Sequence, residues 1–341
     1  MAAIEITGLE KTYSVGFWRK RPKVALRPLN LAVEESEIFG FLGPNGAGKT
    51  TTLKILMGLV LPTAGSAKIL GMDLDDPRMK AQIGFLPEQP YFYDYLTGRE
   101  LLRYYGRLSG VDPAQLNGKV ETVLERVGLK DAGDVQLRKF SKGMLQRAGI
   151  AQAILHDPKV VFLDEPMSGL DPMGRREVRN LIEQLKSEGK TVFFSTHILS
   201  DAEALCDRVA IIHLGELRGV GAVAALTSGV HSNVEIVWAG KSVPTNIQSL
   251  GTEYHVAGDA TRVVVPEESQ DSVIDALRAE RVRLISVTPV RVSLEDYFVA
   301  QLGSSSADQS SCPGGEHGNT NLRKQADSDG SAKALSYSSK A

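Results

Sequence analysis

Gly43-Pro44-Asn45-Gly46-Ala47-Gly48-Lys49-Thr50 follows the spacing Gly, four residues, Gly-Lys-Ser/Thr, by which a loop wraps phosphate. Upstream, Glu37-Ile38-Phe39-Gly40-Phe41-Leu42 is a mostly apolar run behind the charged turn Glu34-Glu35-Ser36, which predicts a buried strand. Downstream, Thr51, Leu53, Ile55, Leu56 and Leu59 recur at helical spacing, and Gly58 and Pro62 mark the stop. Strand, loop and helix together aim backbone N–H groups and the positive end of a helix dipole at one point, where an anion belongs. Glycine lets the backbone approach phosphate oxygens that a Cβ would keep away. In this pattern Lys49 reaches the β- and γ-phosphates, and the Thr50 hydroxyl holds Mg²⁺.

The 341 residues suffice for two domains, and 42% hydrophobic residues suffice for a core. With 39 basic and 41 acidic side chains the formal net charge is -2, so no global field points to nucleic acid or an anionic membrane. Cys206 and Cys312 give no disulfide framework and suit a reducing compartment. Met1 to Glu5 lacks the start of a signal peptide, and no run approaches the roughly 18 apolar residues that span a bilayer, so a soluble chain is expected.

Working outward, Ile4 to Thr7, Val24 to Leu26 and Leu29 to Val33 read as short antiparallel strands. Tyr13 is an aromatic that can stack on a nucleotide base. Gly16 to Lys23 reads as a basic, aromatic hairpin tip. Beyond a further strand region, Gly84-Phe85-Leu86-Pro87-Glu88-Gln89 presents Gln89, whose amide can reach a metal or an attacking water. Tyr91, Phe92, Tyr93 and Tyr95 follow it as either a sticky surface or core. Thr97 and Glu100 form a capping box for a helix through Leu101, Leu102, Tyr105 and Leu108. Val120, Val123, Leu124 and Val127 share a face of another helix over 113 to 128, giving a helical insertion.

Ser141 is placed to cap a helix through Ile150, Ala153 and Ile154, leaving free N–H groups for a second anion site. Val160-Val161-Phe162-Leu163 is a buried strand that delivers Asp164 and Glu165, a pair in which the first carboxylate serves Mg²⁺ and the second polarises water. Asp171-Pro172 starts a helix running to Gly189, with Asp171 as cap. The strand Thr191 to Thr196 then delivers His197, at a strand end where α/β ligands gather.

In this order the motifs resemble the nucleotide-binding subunit of an ATP-binding cassette (ABC) transporter. They are the aromatic Tyr13, the phosphate loop Gly43 to Thr50, Gln89, the signature Ser141 to Arg147, the acidic strand end Val160 to Glu165 with its loop Ser168 to Asp171, and the switch His197. The family signature Leu-Ser-Gly-Gly-Gln stands here as Phe140-Ser141-Lys142-Gly143-Met144, which departs at Lys142 and Met144 and keeps Ser141 and Gly143. The resemblance implies an α/β fold of the P-loop NTPase, ABC ATPase type: a mixed-sheet core, an antiparallel β subdomain and a helical insertion at about 90 to 158, within residues 1 to 222. It further implies ATP and Mg²⁺ as cofactors. Nucleotide is held by Tyr13, Gly43, Pro44, Asn45, Gly46, Ala47, Gly48, Lys49, Thr50, Thr51 and Gln89, and by Ser141, Gly143 and Asp171. Metal is held by Thr50, Gln89 and Asp164, and catalysis falls to Glu165, His197 and Lys49.

Val234 to Val237, Arg262 to Val265 and Arg283 to Val287 alternate like strands, with a helix around Val273, Ile274 and Leu277 and another at Ser293 to Phe298. This layout predicts an accessory α+β domain over 223 to 302, similar to that of drug-exporter-like cassettes. Residues 303 to 341 are Ser-, Gly- and Asp-rich without apolar periodicity, so disorder is expected there. The expected partners are a membrane permease and a second cassette, identical or similar, with no nucleic acid; the expected location is the cytoplasmic face of the cell membrane. The alternative is a soluble cassette ATPase acting in translation or DNA repair.

Overall fold

Apolar positions alternating through the first 34 residues build one long hairpin where the sequence suggests several short strands. β1 (Ala2–Val15) and β2 (Arg21–Glu34) pair antiparallel, and register shifts around Ile6, Leu9 and Lys11 absorb the breaks in alternation. Gly8, at φ 56, sits in the first of these shifts, where a left-handed residue bends the strand. The computed structural model describes residues 2–16, 18–227, 233–241, 243, 247, 254–290 and 293–299. β4 (Ala64–Ile69) and β5 (Met72–Asp73) complete this four-stranded sheet in the order β2-β1-β4-β5.

The second sheet positions the site. Its order is β10-β9-β3-β8-β7-β6, where β3 is Ile38–Leu42, β6 Ile83–Leu86, β7 Val160–Asp164, β8 Thr191–Thr196, β9 Arg208–His213 and β10 Glu216–Ala222. All but the pairing of β10 are parallel, and β3, β7 and β8 are buried along their whole length, as near-continuous apolar runs require. Phe39, Phe162 and Phe193 pack across neighbouring strands, with ring centroids 5.6 to 5.7 Å apart. α1 (Lys49–Leu56) follows β3, α6 (Pro172–Ser187) follows β7, and α7 (Leu199–Leu205) follows β8. α2 (Pro77–Lys80) is a short turn before β6.

The helical insertion consists of α3 (Gly98–Leu108), α4 (Pro113–Arg126) and α5 (Lys142–Ile154). The Thr97–Glu100 capping box forms as expected, and Asp112 and Ser141 cap α4 and α5. Leu101, Leu102, Val120, Leu124 and Ile150 fill the space between the helices and join the core over β7 and β8.

After α8 (Val223–Thr227), a third sheet has the order β12-β13-β11-β14, from β11 (Asn233–Ala239), β12 (Tyr254–Ala257), β13 (Ala260–Pro266) and β14 (Leu284–Val290), with α9 (Gln270–Ala279) on one face. β12 was not expected, because Tyr254 to Ala257 is an exposed edge without apolar alternation. The last helix, over residues 294–299, does not stay with this sheet. Leu294 is fully buried among Leu42, Val209, Ile211 and Val223, and its N–H donates to the Glu203 carboxylate, so packing crosses the boundary expected at 222. The disorder expected for 303–341 lies outside the described residues. Among the described residues no helix is long and apolar enough to cross a membrane.

His156 closes α5 against β6, with its Nε2 2.9 Å from the Ile83 carbonyl oxygen, and burial holds its imidazole below the ordinary value of 6.5. As pH falls through 6.5 the unfolded chain takes up this proton before the folded one, so the stability the neutral ring carries is present above 6.5 and lost on acidification. His156→Gln is expected to reduce the fall in Tm between about pH 7 and 5 relative to the parent. An unchanged slope in melts across that window removes the assignment.

Candidate functional site

The parallel register brings three carboxyl ends together, because Leu42 pairs with Thr196 and Asp164 with Ser195. The loop leaving β3 closes against backbone. A Cβ on Gly43 would lie 2.3 Å from the Ile212 carbonyl oxygen, and one on Gly48 2.7 Å from that of Ala25. Gly46 has open space, and its requirement is the φ of 82. Gly48 caps α1 at φ 112 with no side-chain bond, so the first-turn N–H groups are left for an external acceptor.

Lys49 is buried, 6% exposed, and its ammonium is held from several sides. It donates to the Gly43 carbonyl at 2.6 Å and the Pro44 carbonyl at 3.4 Å, and it lies 3.2 Å from Glu165 Oε1. Glu165, equally buried, turns off the end of β7 at φ 50, a left-handed conformation uncommon for a residue with a side chain. Its N–H donates to the Ser195 carbonyl at 3.1 Å and Oγ at 3.2 Å, which fixes the turn. The other carboxylate oxygen, Oε2, lies 2.9 Å from His197 Nδ1. Asp164 Oδ1 accepts from the Ser195 hydroxyl and lies 3.5 Å from Thr50 Oγ1. Behind His197, burial raises the Asp201 carboxyl above its ordinary range, with Arg175 and Arg179 opposing.

These groups line one end of a cleft of about 690 Å³. Tyr13, Val15, Val24 and Ala25 line it as well, making an apolar wall beside the loop. Lys11 places its ammonium 5.0 Å from the Tyr13 ring centroid and donates to the Leu61 carbonyl, which fixes the ring. The cleft can therefore accept a flat base beside Tyr13 and a phosphate chain along the loop, with a carboxylate and an imidazole at the terminal phosphate.

Of the residues picked from sequence, Tyr13, Pro44, Asn45, Gly46, Gly48, Lys49, Thr50, Thr51, Glu165 and His197 line this cleft. Gln89 does not: its Oε1 accepts from the Tyr91 hydroxyl at 3.2 Å, and Glu88 supplies the wall. Asp171 caps α6 through the Gly174 N–H at 2.9 Å, and Ser141 caps α5 through the Met144 N–H at 3.2 Å; neither these two nor Gly143 lines the cleft. Sequence reasoning missed Ser195 and Lys11, and it placed Ser168 in the loop to Asp171 without giving it a place in the cleft. Only the register of β7 against β8 reveals Ser195, whereas the i, i+2 spacing of Lys11 and Tyr13 on one strand was a usable signal.

Ser195 joins the two acids by its hydroxyl and its backbone. Ser195→Ala removes a hydrogen bond to a charged group, and is expected to lower ATP turnover about tenfold or more while nucleotide binding persists. Steady-state hydrolysis beside a binding titration checks this; a parent-like rate overturns it.

Comparison with known proteins agrees with this geometry. The family model described as ABC transporter matches residues 26–168. An uncharacterised ABC transporter ATP-binding protein of Synechocystis sp. is 44% identical over 309 residues, covering 88% of this chain and 84% of that protein. The bacitracin transport ATP-binding protein of Bacillus licheniformis is 38% identical over 282 residues, covering 81% of this chain and 91% of that one. A solved dimeric ATP-binding cassette in a post-hydrolysis state, bound to ADP and Pi, superposes with a TM-score of 0.59 at 25% identity, covering 64% of this chain and 98% of that chain. A cleft built to hold a nucleotide by its phosphates, in a chain that shares most of its length with such relatives, identifies an ATPase: the protein belongs to the ATP-binding subunits of ABC transporters.

Proposed function

We propose that the chain powers export through a separate membrane permease, from the cytoplasmic face of the membrane, by pairing head to tail with a second cassette around two ATP molecules. Glu165, held between Lys49 and His197, is the observation that carries the catalytic half of this reading. The carboxylate takes the proton of the attacking water. His197 orients that carboxylate through Nδ1 and turns the rest of its ring to the terminal phosphate. Lys49 leaves Glu165 for the phosphates when nucleotide enters, which frees the base. The hard oxygens of Thr50 and Asp164 fit Mg²⁺, which binds through one or two carboxylates and phosphate oxygens and supplies charge neutralisation when bound. Ser141 and Gly143, outside this cleft, complete the second copy's site in this reading, and a two-fold interface builds both sites from one surface. The bacitracin transport relative and the dimeric cassette support export and pairing. In this reading residues 1–222 carry the nucleotide site and the sheet of β11 to β14 is the accessory part, while the helix over 294–299 packs back on the nucleotide-binding part.

The docking surface for the permease lies beside the Gln89 loop. Phe92 packs against the helical core, with its ring centroid 6.2 Å from that of Tyr105, whereas Tyr91, Tyr93 and Tyr95 stay 88%, 53% and 60% exposed. A groove of about 590 Å³ opens next to them, between Phe85, Tyr91, Tyr105 and Leu108. Clustered exposed aromatics beside a groove suit a protein partner.

Glu165→Gln keeps the shape and removes the basicity, so hydrolysis is expected to fall by about 10² to 10⁴ while ATP drives dimerisation in size-exclusion chromatography. Parent-like hydrolysis, or a monomer at saturating ATP, refutes the corresponding half of the proposal. Tyr91→Ser with Tyr93→Ser is expected to leave hydrolysis by the isolated chain near the parent rate and to abolish co-purification with the permease. Retained co-purification removes the docking surface, and lost folding makes these rings core.

A further inference from the structure

Lys142 is one of the positions where the signature departs from Leu-Ser-Gly-Gly-Gln, and its side chain makes a contact a glycine cannot. It is the first residue of α5, directly after the cap Ser141. From there it reaches the loop that joins β7 to α6. Gly169 in that loop has φ 65, and a Cβ built on it would lie 2.2 Å from Lys142 Nζ and 3.3 Å from Cε. The ammonium and last methylene of Lys142 thus fill the notch that the glycine leaves open.

The loop is otherwise held at its ends. Met167 and Leu170 are buried in the core, and Asp171 caps α6. Between them, Ser168 donates its N–H to the Glu165 carbonyl at 3.1 Å and forms part of the cleft wall. The Leu170 N–H donates to the Met167 carbonyl at 3.3 Å and closes the turn across Ser168 and Gly169; Gly169 is its exposed residue, and the Lys142 side chain lies against it. α5 packs in one core with α3 and α4, so its first turn moves as those helices move.

We propose that Lys142 is a positioning residue that locks the 168–171 loop to α5, so that Ser168 and the Glu165 turn keep their place in the cleft. A cation against the peptides of an exposed turn gains charge–dipole attraction, and the filled notch resists collapse of the loop. The lock works within one chain and needs no second copy. It rests on the reading of Glu165 as base, because turnover is its readout.

The test is steady-state ATP hydrolysis by the full chain, with binding of a fluorescent ATP analogue measured alongside. Lys142→Ala should lower kcat about ten- to a hundredfold with KM and analogue affinity unchanged, since a small misplacement near the reacting groups has that cost. Lys142→Arg, which keeps charge and reach, should restore kcat. Gly169→Ala pushes the ammonium out of the notch, so the double variant with Lys142→Ala should be no slower than the slower single one. A parent-like kcat for Lys142→Ala overturns the proposal. So do losses that multiply in the double variant, and so does a raised KM at constant kcat, which would make Lys142 a nucleotide contact. Failure of the base assignment shows separately, as undiminished hydrolysis by Glu165→Gln.

Discussion

A lysine that opens α1 and a glutamate just past the end of β7, buried side by side, are the constraint around which this molecule is arranged. Taking either charge out of water costs several kcal/mol, and removing one partner of such a pair typically costs about 3 to 5 kcal/mol. The fold meets that cost by converging carbonyls of the glycine loop on Lys49 and His197 on Glu165. Each of those contacts is also a functional one. The loop that solvates the lysine is the loop that wraps phosphate, and the imidazole that steadies the carboxylate faces the same cleft. In the proposed mechanism a triphosphate competes for Lys49 with the Glu165 carboxylate, so that binding and activation of the base become one event.

The parallel register makes this possible. Loops leaving β3, β7 and β8 meet because the three strands run the same way and end level, with Ser195 stapling the acid pair from the neighbouring strand. A one-residue slip of one of these strands would turn its own aromatic to the opposite face, out of contact with the rings on its neighbours. Packing of Phe39, Phe162 and Phe193 therefore helps to hold the register on which the spacing of the candidate site residues depends.

Much of this was legible because local chemistry forces it. The glycine pattern from Gly43 to Gly48, the capping residues Thr97, Ser141 and Asp171, and the acid pair after an apolar strand each have few structural alternatives. What could not be read was what depends on contacts distant in sequence. The length of the first hairpin depends on bulges, since apolar alternation fails around Gly8 and Lys11 while pairing continues. The last helix reads as part of the accessory sheet until Leu294 is seen buried beside Leu42. Gln89 is a further case. Its amide is of the right type for the site, yet the Tyr91 hydroxyl next to it offers a nearer partner.

The Gln89 loop and the signature helix are both packed onto the elements that carry the acid pair. The aromatic loop follows β6, whose neighbour β7 carries the acid pair, and α5 packs against both the aromatic Phe92 side and the loop after Glu165. Packed elements transmit displacement when they have two arrangements; the structure holds Glu165 against Lys49, and in the proposed mechanism its release when phosphate takes the ammonium is the second arrangement. A residue at φ 50 is held by its surroundings rather than by its own preference, so changing one of its partners moves the turn that carries it. That turn runs directly into Ser168 and Gly169. In the proposed mechanism the same left-handed peptide carries the base and leads into the loop that Lys142 contacts, so a change at Glu165 has a direct covalent route to Ser168 and Gly169.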